Sequence, residues 1–196
     1  MANVALVDSG GSNIGSLRFA LQRLGVDACL TDDADAIRNA DRVILPGVGA
    51  ADRGMACLRE RGLVDTVRGL TQPVLGVCLG MQLLFEHSEE GDTPCLGILP
   101  GRLRRFEGAT LRVPHMGWNA LRIERAASLV GGIKSGDFVY FVHSYAAAVG
   151  VETLASCEYA SVFSAVVSSG NFFGMQFHPE RSGAVGARLL QNFLEL

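Results

Sequence analysis

The chain has 196 residues, of which 48% are apolar and 19% charged, and its formal net charge is −3. These values exclude an intrinsically disordered chain and predict a single compact domain over residues 1–196. The charge balance argues against nucleic acid as the main ligand, and no apolar run approaches the ~18 residues that would cross a membrane. We therefore expect a soluble, cytosolic protein with reduced cysteines.

The first half of the chain alternates between short aliphatic runs and helical periodicity, which is typical of a parallel sheet flanked by helices. Strands are predicted at residues 3–8, 28–31, 42–45 and 73–77. A first helix is predicted to have Leu17, Leu21 and Leu24 on one face, and a short second helix is predicted to run through Ile37. Two further helices are predicted, one over residues 55–70 with a break at Gly62 and one over residues 79–85.

The second half is predicted to contain shorter strands, some of them antiparallel, at residues 103–106, 119–123, 138–143, 153–157, 161–167 and 172–177. A closing helix is predicted over residues 183–194. We therefore expect an α/β fold, in which an open, mostly parallel, twisted sheet is flanked by helices. A smaller antiparallel portion is expected in the second half.

The segment Gly76-Val77-Cys78-Leu79-Gly80 has the pattern of a nucleophile elbow. Small flanking residues allow a sharp turn between a strand and a helix, which would leave the Cys78 side chain exposed and its backbone strained. The helix start favours a thiolate, and the Leu79 amide could stabilise an oxyanion. The alternative is a buried cysteine whose glycine neighbours serve only backbone packing.

Phe177-His178-Pro179-Glu180 could supply a base and its orienting partner. Proline disfavours helix at His178, so the backbone is predicted to be extended, with His178 and Glu180 on one side. Glu180 could then hold the imidazole in one tautomer and stabilise its charged form. The alternative is a solvent-exposed turn.

Pro46-Gly47-Val48-Gly49 follows the third predicted strand and should open onto the same sheet edge as Cys78. Glycines there would let the backbone approach a substrate and present N–H groups to an oxyanion. A dinucleotide fingerprint is excluded because Asp52 occupies the place of its third glycine. The alternative is a plain turn. The cysteine and histidine spacing likewise gives no support to a metal site.

Together and in this order, the three segments resemble the class I glutamine amidotransferases, a family with a flavodoxin-like fold. The resemblance implies that Cys78 is the nucleophile, His178 the general acid and base, and Glu180 its orienting partner, without a cofactor. It implies an oxyanion hole formed by Val48, Gly49 and Leu79. It also implies that glutamine is held by Gly49, Gln82, Ser144 and Tyr145.

Further segments, among them residues 113–119 and 140–145, resemble the branch of this family that serves histidine biosynthesis. That resemblance implies a heterodimer with a cyclase subunit, a (β/α)8 barrel, which uses the ammonia to form imidazole glycerol phosphate and aminoimidazole carboxamide ribotide. Candidate partner-facing residues are Asn13, Trp118, Tyr140 and Arg181, although Trp118 and Tyr140 could equally be half-buried packing residues. The chain departs from the pattern at Ser9, Ser12, Ala51 and Arg181.

Three other functions remain open from the residues. The chain could be the glutaminase of another synthase, such as one that makes anthranilate or guanylate. It could be a catalytically silent amidotransferase-like module that only binds a synthase, although the intact Cys78, His178 and Glu180 argue against this. It could also be a free-standing cysteine hydrolase of γ-glutamyl compounds.

Overall fold

A computed structural model describes residues 3–10, 14–107 and 111–196 of the chain. Its first half contains β1 (Val4–Val7), α1 (Ile14–Arg23), β2 (Cys29–Thr31), α2 (Ala34–Arg38), β3 (Arg42–Gly47), α3 (Ala51–Glu60), α4 (Val64–Arg68), β4 (Val74–Cys78) and α5 (Leu79–Leu83). Every strand and helix predicted in this half is present. A local signal accounts for the start of α2, where the Asp33 side chain accepts the N–H groups of Asp35 and Ala36.

The second half contains β5 (Phe85–Ser88), β6 (Thr93–Pro94), β7 (Leu99–Arg105), β8 (His115–Ala120), β9 (Arg122–Ile123), β10 (Phe138–His143), β11 (Tyr145–Ala147), β12 (Thr153–Tyr159), β13 (Ser161–Ser169), β14 (Phe172–Met175) and α6 (Gly183–Leu194). Short 3₁₀ turns cover Glu90–Asp92, Ser128–Val130 and Pro179–Arg181. The closing helix has the predicted bounds.

The main sheet has eight strands in the order β2-β1-β3-β4-β14-β13-β12-β9. The five strands from β2 to β14 are parallel, and the remaining three join them in antiparallel pairs. The predicted open sheet, parallel in its first half and partly antiparallel in its second, is therefore confirmed. Because β3, β4 and β14 are adjacent and parallel, their carboxyl ends meet at one edge.

Two smaller sheets complete the fold, one formed by β8 and β10 and the other by β11-β7-β5-β6. Strands β5, β6 and β11 were not predicted, and the predicted strand over residues 119–123 is divided between β8 and β9. The prediction of helix up to Phe85 was also wrong. The carbonyl groups of Leu83 and Leu84 accept N–H groups from Leu96 and Leu99, so tertiary pairing replaces the next helical turn.

The buried apolar residues form two clusters, one on each face of the main sheet. Alternate residues of β1 show this division, since Val4 and Leu6 belong to one cluster and Ala5 and Val7 to the other. Helices α1 and α6 cover the first face and α2, α3 and α4 the second. None of the helices in the described part of the chain is long and apolar enough to cross a membrane.

Candidate active site

The turn at the end of β4 has the sharp geometry that the glycine pattern predicts. Cys78 adopts φ 54° and ψ −111°, a conformation that is unfavourable for a residue with a side chain. A Cβ atom on Gly76 would lie 2.6 Å from the Gly80 carbonyl oxygen, and one on Gly80 would overlap the Leu45 carbonyl oxygen. Both glycines are therefore required for α5 to follow β4 so closely.

The Cys78 side chain is less accessible than predicted. Only 6% of the residue is exposed, because it lies beneath a cavity of about 270 Å³ whose wall comes from several elements. The expectation of an exposed cysteine is thus wrong, and access to the sulfur is through this cavity. The lining residues are Val48, Gly49, Cys78, Leu79, Gln82, Glu90, Pro114, Val142, His143, Ser144, Tyr145 and His178.

His178 and Glu180 meet as expected, but by a different backbone path. His178 Nδ1 lies 3.0 Å from Glu180 Oε1, and both side chains are buried. The extended backbone predicted for residues 178–180 is wrong beyond His178, because Pro179 begins a 3₁₀ turn over Pro179–Arg181. The backbone of His178 is held on both sides, since its N–H donates to the Tyr140 carbonyl and its own carbonyl accepts Ser182 Oγ–H.

The charge state of His178 follows from its neighbours. Burial by itself lowers the pKa of the imidazole, but hydrogen bonds to Cys78 and Glu180, together with the attraction of their negative charges, raise the pKa to about 10. With Nδ1 engaged by Glu180, Nε2 is the ring nitrogen left for the sulfur. His178 is consequently an imidazolium at neutral pH, ready to donate a proton.

The loop after β3 lies beside the cysteine. Gly47 is the register partner of Cys78, and Val48 and Gly49 line the same cavity. A Cβ on Gly47 would lie 2.9 Å from Cβ of Leu79, so this close approach also requires glycine. Ser9, one of the positions that depart from the family pattern, is buried and donates its hydroxyl to the Pro46 carbonyl.

The residues predicted to hold glutamine, Gly49, Gln82, Ser144 and Tyr145, all line the cavity. Gln82 is buried, and its Nε2 donates to the Tyr145 carbonyl at 3.0 Å and to Gln176 Oε1 at 2.9 Å. Gln176 in turn directs its Nε2 toward Cys78 Sγ at 3.9 Å. Gln82 therefore holds the Tyr145 carbonyl and the Gln176 side chain as well as lining the cavity. Gln176 is a contact of the sulfur that was not predicted from the sequence.

Glu90 is a second residue that the sequence analysis missed. It lies in the 3₁₀ turn after β5 and lines the cavity, and its Oε2 accepts the N–H of Ala51 at 2.8 Å. Burial raises the pKa of this carboxyl, although the Ala51 hydrogen bond opposes the rise. The neighbouring sequence could not indicate this position of Glu90, because its partner Ala51 is 39 positions away in the sequence.

A model of the family described as "Glutamine amidotransferase class-I" matches residues 5–196. The chain belongs to the class I glutamine amidotransferases. This agrees with the site, in which Cys78, His178 and Glu180 meet at the carboxyl ends of β4 and β14.

Named relatives and solved structures agree with this membership. The chain is 55% identical over 197 aligned positions to the "Imidazole glycerol phosphate synthase subunit HisH" of Xanthomonas axonopodis pv. citri, covering 100% of this chain and 98% of that protein. It is 54% identical, with the same coverage, to the protein of that name in Xylella fastidiosa. A solved glutamine amidotransferase shares its fold at a TM-score of 0.75 and 24% identity, covering 98% of this chain and 97% of the other.

This amidotransferase exposes an apolar patch on the ribbon of β8 and β10. Trp118 is 55% exposed and packs edge to face with Tyr140, its register partner. The guanidinium of Arg181 lies 4.8 Å from the Tyr140 ring centre. Trp118 is thus not a packing residue of the core, whereas Tyr140 is half-buried. Asn13 and Ser12 lie outside the described residues.

Among the residues that the structure describes, no three His, Cys, Asp or Glu side chains are grouped so as to hold a metal ion. The four histidines illustrate why. His178 is paired with Glu180, His87 with Asp92, and His115 with His143. Only the last pair brings two histidines together, and carboxylates are not part of that contact.

Proposed function

We propose that this chain is the glutaminase subunit of an imidazole glycerol phosphate synthase, which hydrolyses glutamine and supplies the ammonia to a separate cyclase subunit. The observation that carries the chemistry is the arrangement of Cys78, His178 and Glu180 at one cavity. The assignment to this synthase is supported by 55% identity, over the whole chain, to a HisH subunit. In this proposal the chain forms a single glutaminase domain and acts in the cytosol.

The first half of the reaction forms a thioester. The Cys78 thiolate attacks the side-chain amide carbon of glutamine, and the carbonyl oxygen becomes an oxyanion that the amides of the Val48–Gly49 segment and of Leu79 stabilise. His178 donates its proton to the amide nitrogen, the C–N bond breaks, and ammonia leaves. The raised pKa of His178 suits this step because the imidazole must be charged before the proton is needed.

The second half hydrolyses the thioester. Neutral His178 now takes a proton from water, and the hydroxide attacks the thioester carbon. The C–S bond breaks, glutamate is released, and the thiolate and imidazolium are restored. Glu180 is bonded to Nδ1 and holds the ring so that Nε2 faces the sulfur.

Recognition of glutamine requires partners for its α-ammonium and α-carboxylate groups. Glu90 is the acidic side chain in the cavity lining, and one of its oxygens is already held by the Ala51 N–H. We infer that its carboxylate binds the α-ammonium group, while Gly49, Gln82, Ser144 and Tyr145 form the surrounding wall.

The ammonia must reach the acceptor without being protonated by bulk water, so a partner has to cover its route. The exposed Trp118, the Tyr140 ring and Arg181 are our candidates for that docking surface, with Asn13 as a further candidate. Aromatic and arginine side chains are the types that most often dominate the binding energy of an interface.

The test is glutamate release from glutamine by the purified chain, alone and then with the cyclase subunit and its nucleotide ligand. Strong stimulation by the pair, abolished in Cys78→Ala, is the expected result. Hydrolysis that is indifferent to the cyclase would keep the cysteine chemistry but assign the chain to another synthase or to a free-standing hydrolase. Undiminished activity of Cys78→Ala would overturn the mechanism.

A further inference from the structure

Two buried histidines face each other at the cavity wall, where His143 lines the cavity and His115 lies behind it. His115 at the start of β8 and His143 at the end of β10 are register partners, and His115 Nδ1 lies 3.2 Å from His143 Nε2. The His115 ring is stacked between Tyr159, at a centroid distance of 4.0 Å, and Phe141, at 4.9 Å. Both rings are thus fixed by packing, and the mechanism above uses neither of them.

The outer end of this pair is anchored by Asn119. Its Nδ2 lies 2.8 Å from the Glu158 carbonyl oxygen and 3.4 Å from His115 Nε2, and its Oδ1 accepts the N–H of Ala120 at 2.8 Å. Because the Glu158 carbonyl can only accept and the Ala120 amide can only donate, the orientation of the Asn119 amide is determined. Asn119 therefore presents a donor to His115.

The inner end is anchored by a carbonyl group of the cavity wall. His143 Nδ1 lies 2.9 Å from the Tyr145 carbonyl oxygen, which also accepts Gln82 Nε2 at 3.0 Å. Since a carbonyl oxygen can only accept, His143 must carry its proton on Nδ1. With two donors, this oxygen has both of its lone pairs engaged.

The two ends impose the same direction on every bond between them. Asn119 donates to His115 Nε2, so the His115 proton is on Nδ1 and points at His143 Nε2. His143 Nε2 accepts it, and its own Nδ1 proton goes to the Tyr145 carbonyl. All three contacts are satisfied only when both imidazoles are neutral and both carry the proton on Nδ1.

We propose that Asn119, His115 and His143 are positioning residues for glutamine binding, and that they act as a one-way chain of hydrogen bonds that holds the Tyr145 carbonyl. Ser144 and Tyr145, which line the cavity, are thereby kept in the conformation that receives the substrate. The positioning role rests on the proposed glutaminase activity, whereas the direction of these hydrogen bonds does not. The outer residue, Asn119, adjoins the exposed Trp118 on β8.

The surroundings keep both rings uncharged. Burial lowers the pKa of His115 to about 4. For His143 burial is again the main cause, the Tyr145 hydrogen bond opposes it, and the positive charges of His115 and His178 add to the lowering, so that the pKa is about 3. Protonating either ring would also point two N–H groups at each other. The chain of hydrogen bonds from Asn119 to the Tyr145 carbonyl is therefore intact at and around neutral pH.

The direction of these hydrogen bonds can be measured by a method that does not depend on enzymatic activity. Nitrogen NMR of the protein labelled with ¹⁵N in its histidines distinguishes a protonated from an unprotonated ring nitrogen, and the signals of His115 are assigned by their loss in His115→Phe. We expect His115 and His143 to be protonated on Nδ1 only, at and around neutral pH. Either ring protonated on Nε2, or on both nitrogens, would overturn the chain.

The role in binding is tested with Asn119→Asp, which replaces the donor by an acceptor. The carboxylate should draw a proton to His115 Nε2, visible in the same spectrum, and leave the Tyr145 carbonyl poorly held. We expect KM for glutamine to rise about tenfold, the effect of one lost hydrogen bond, with a much smaller change in kcat.

The matched control is Asn171→Asp, which likewise removes a side-chain amide that donates to two acceptors, in this case the carbonyl groups of Leu70 and Gln72. It should leave KM and the histidine signals unchanged. An unchanged KM in Asn119→Asp would overturn the positioning role. If the wild type releases no glutamate with its partner, the proposed function fails, and the spectrum still decides the direction of the chain.

Discussion

The parallel core, which comprises β1–β4, β14 and the helices around them, positions its functional groups differently from the added sheets, which comprise β5–β8, β10 and β11. All five residues of β4 are buried, whereas the exposure of β10 alternates, with one face turned outward. Cys78 is placed by the backbone, through glycines that no other residue could replace. The cavity wall contributed by the added sheets is placed by side-chain hydrogen bonds over long sequence distances.

This difference separates chemistry from recognition. A nucleophile and its acid must meet within tenths of an ångström, which a strained turn at the end of the fully buried strand β4 can guarantee. The cavity wall of the added sheets is held by separate side-chain hydrogen bonds, so the loss of one of them changes its shape only in part. We therefore expect changes at the close contacts of the parallel core around Cys78 and His178 to abolish turnover or folding, and changes in the added sheets to weaken binding by modest factors.

The largest effect is expected for Gly80→Ala in the parallel core. Its Cβ would overlap the Leu45 carbonyl oxygen, so β3 and α5 must separate. We expect roughly 3 kcal/mol or more of lost stability in urea unfolding, with loss of glutamate release. Gly15→Ala in α1, where nothing lies within 4 Å of the added Cβ, should be neutral or stabilising by up to about 1 kcal/mol. If Gly80→Ala were as stable as the wild type, the contrast drawn between the parallel core and the added sheets would be wrong.

Glu180→Gln should come next, as a change of similar volume that leaves the folded structure intact. Without the carboxylate, the His178 ring loses the partner that orients it and stabilises its charge. We expect kcat to fall by about 10²-fold or more, with little change in KM, in steady-state glutaminase assays. The control is Glu195→Gln at the exposed end of α6, which should behave as the wild type. A loss confined to KM would contradict the division of roles.

Glu90→Gln tests the added sheets. Glutamine retains an oxygen for the Ala51 N–H but removes the charge that we assign to the α-ammonium group of the substrate. We expect KM to rise about 10- to 100-fold, the loss of a charge-assisted hydrogen bond, while kcat changes much less. Glu89→Gln, next in the chain and exposed, is the control. An equal fall of kcat would place Glu90 in the chemistry instead.

Trp118→Ala tests the outward face of the same region. Because the side chain is largely exposed and outside the apolar clusters, we expect an unchanged circular dichroism spectrum. Binding of the cyclase, measured by titration calorimetry, should weaken about 10- to 100-fold. Leu30→Ala, an exposed apolar residue on the edge strand β2, should leave the affinity as it is. Unchanged affinity of Trp118→Ala would remove this residue from the interface.

The last expected effect is a pH dependence of stability. The pKa of His178 is about 10 in the folded chain, above the 6.5 of an unperturbed histidine. A raised pKa contributes stability that is fully present below about pH 6.5 and is lost as the pH rises through 10. The free energy of unfolding should therefore decline more steeply across this interval in the wild type than in His178→Gln. Parallel curves would show that the pair does not stabilise the fold.

Much of the parallel core could be predicted because its signals are local. The elbow at Cys78 is visible as glycines two residues away on either side, and the end of α1 as a glycine with φ 80° at Gly25. The added sheets were predicted less well. Strands β5, β6 and β11 are two to four residues long and owe their conformation to pairing with β7 and with one another, which leaves no periodic pattern in the sequence.

The sequence by itself determined the order of the parallel elements, the turn that presents Cys78, and the pairing of His178 with a carboxylate two residues away. Each depends on interactions among neighbours in the chain. Only the tertiary structure decided that Cys78 is reached through a cavity, that Glu90 and Gln176 belong to its surroundings, and that His115 faces His143. Those contacts join residues 28 to 98 positions apart, and their geometry is set by how the sheets pack.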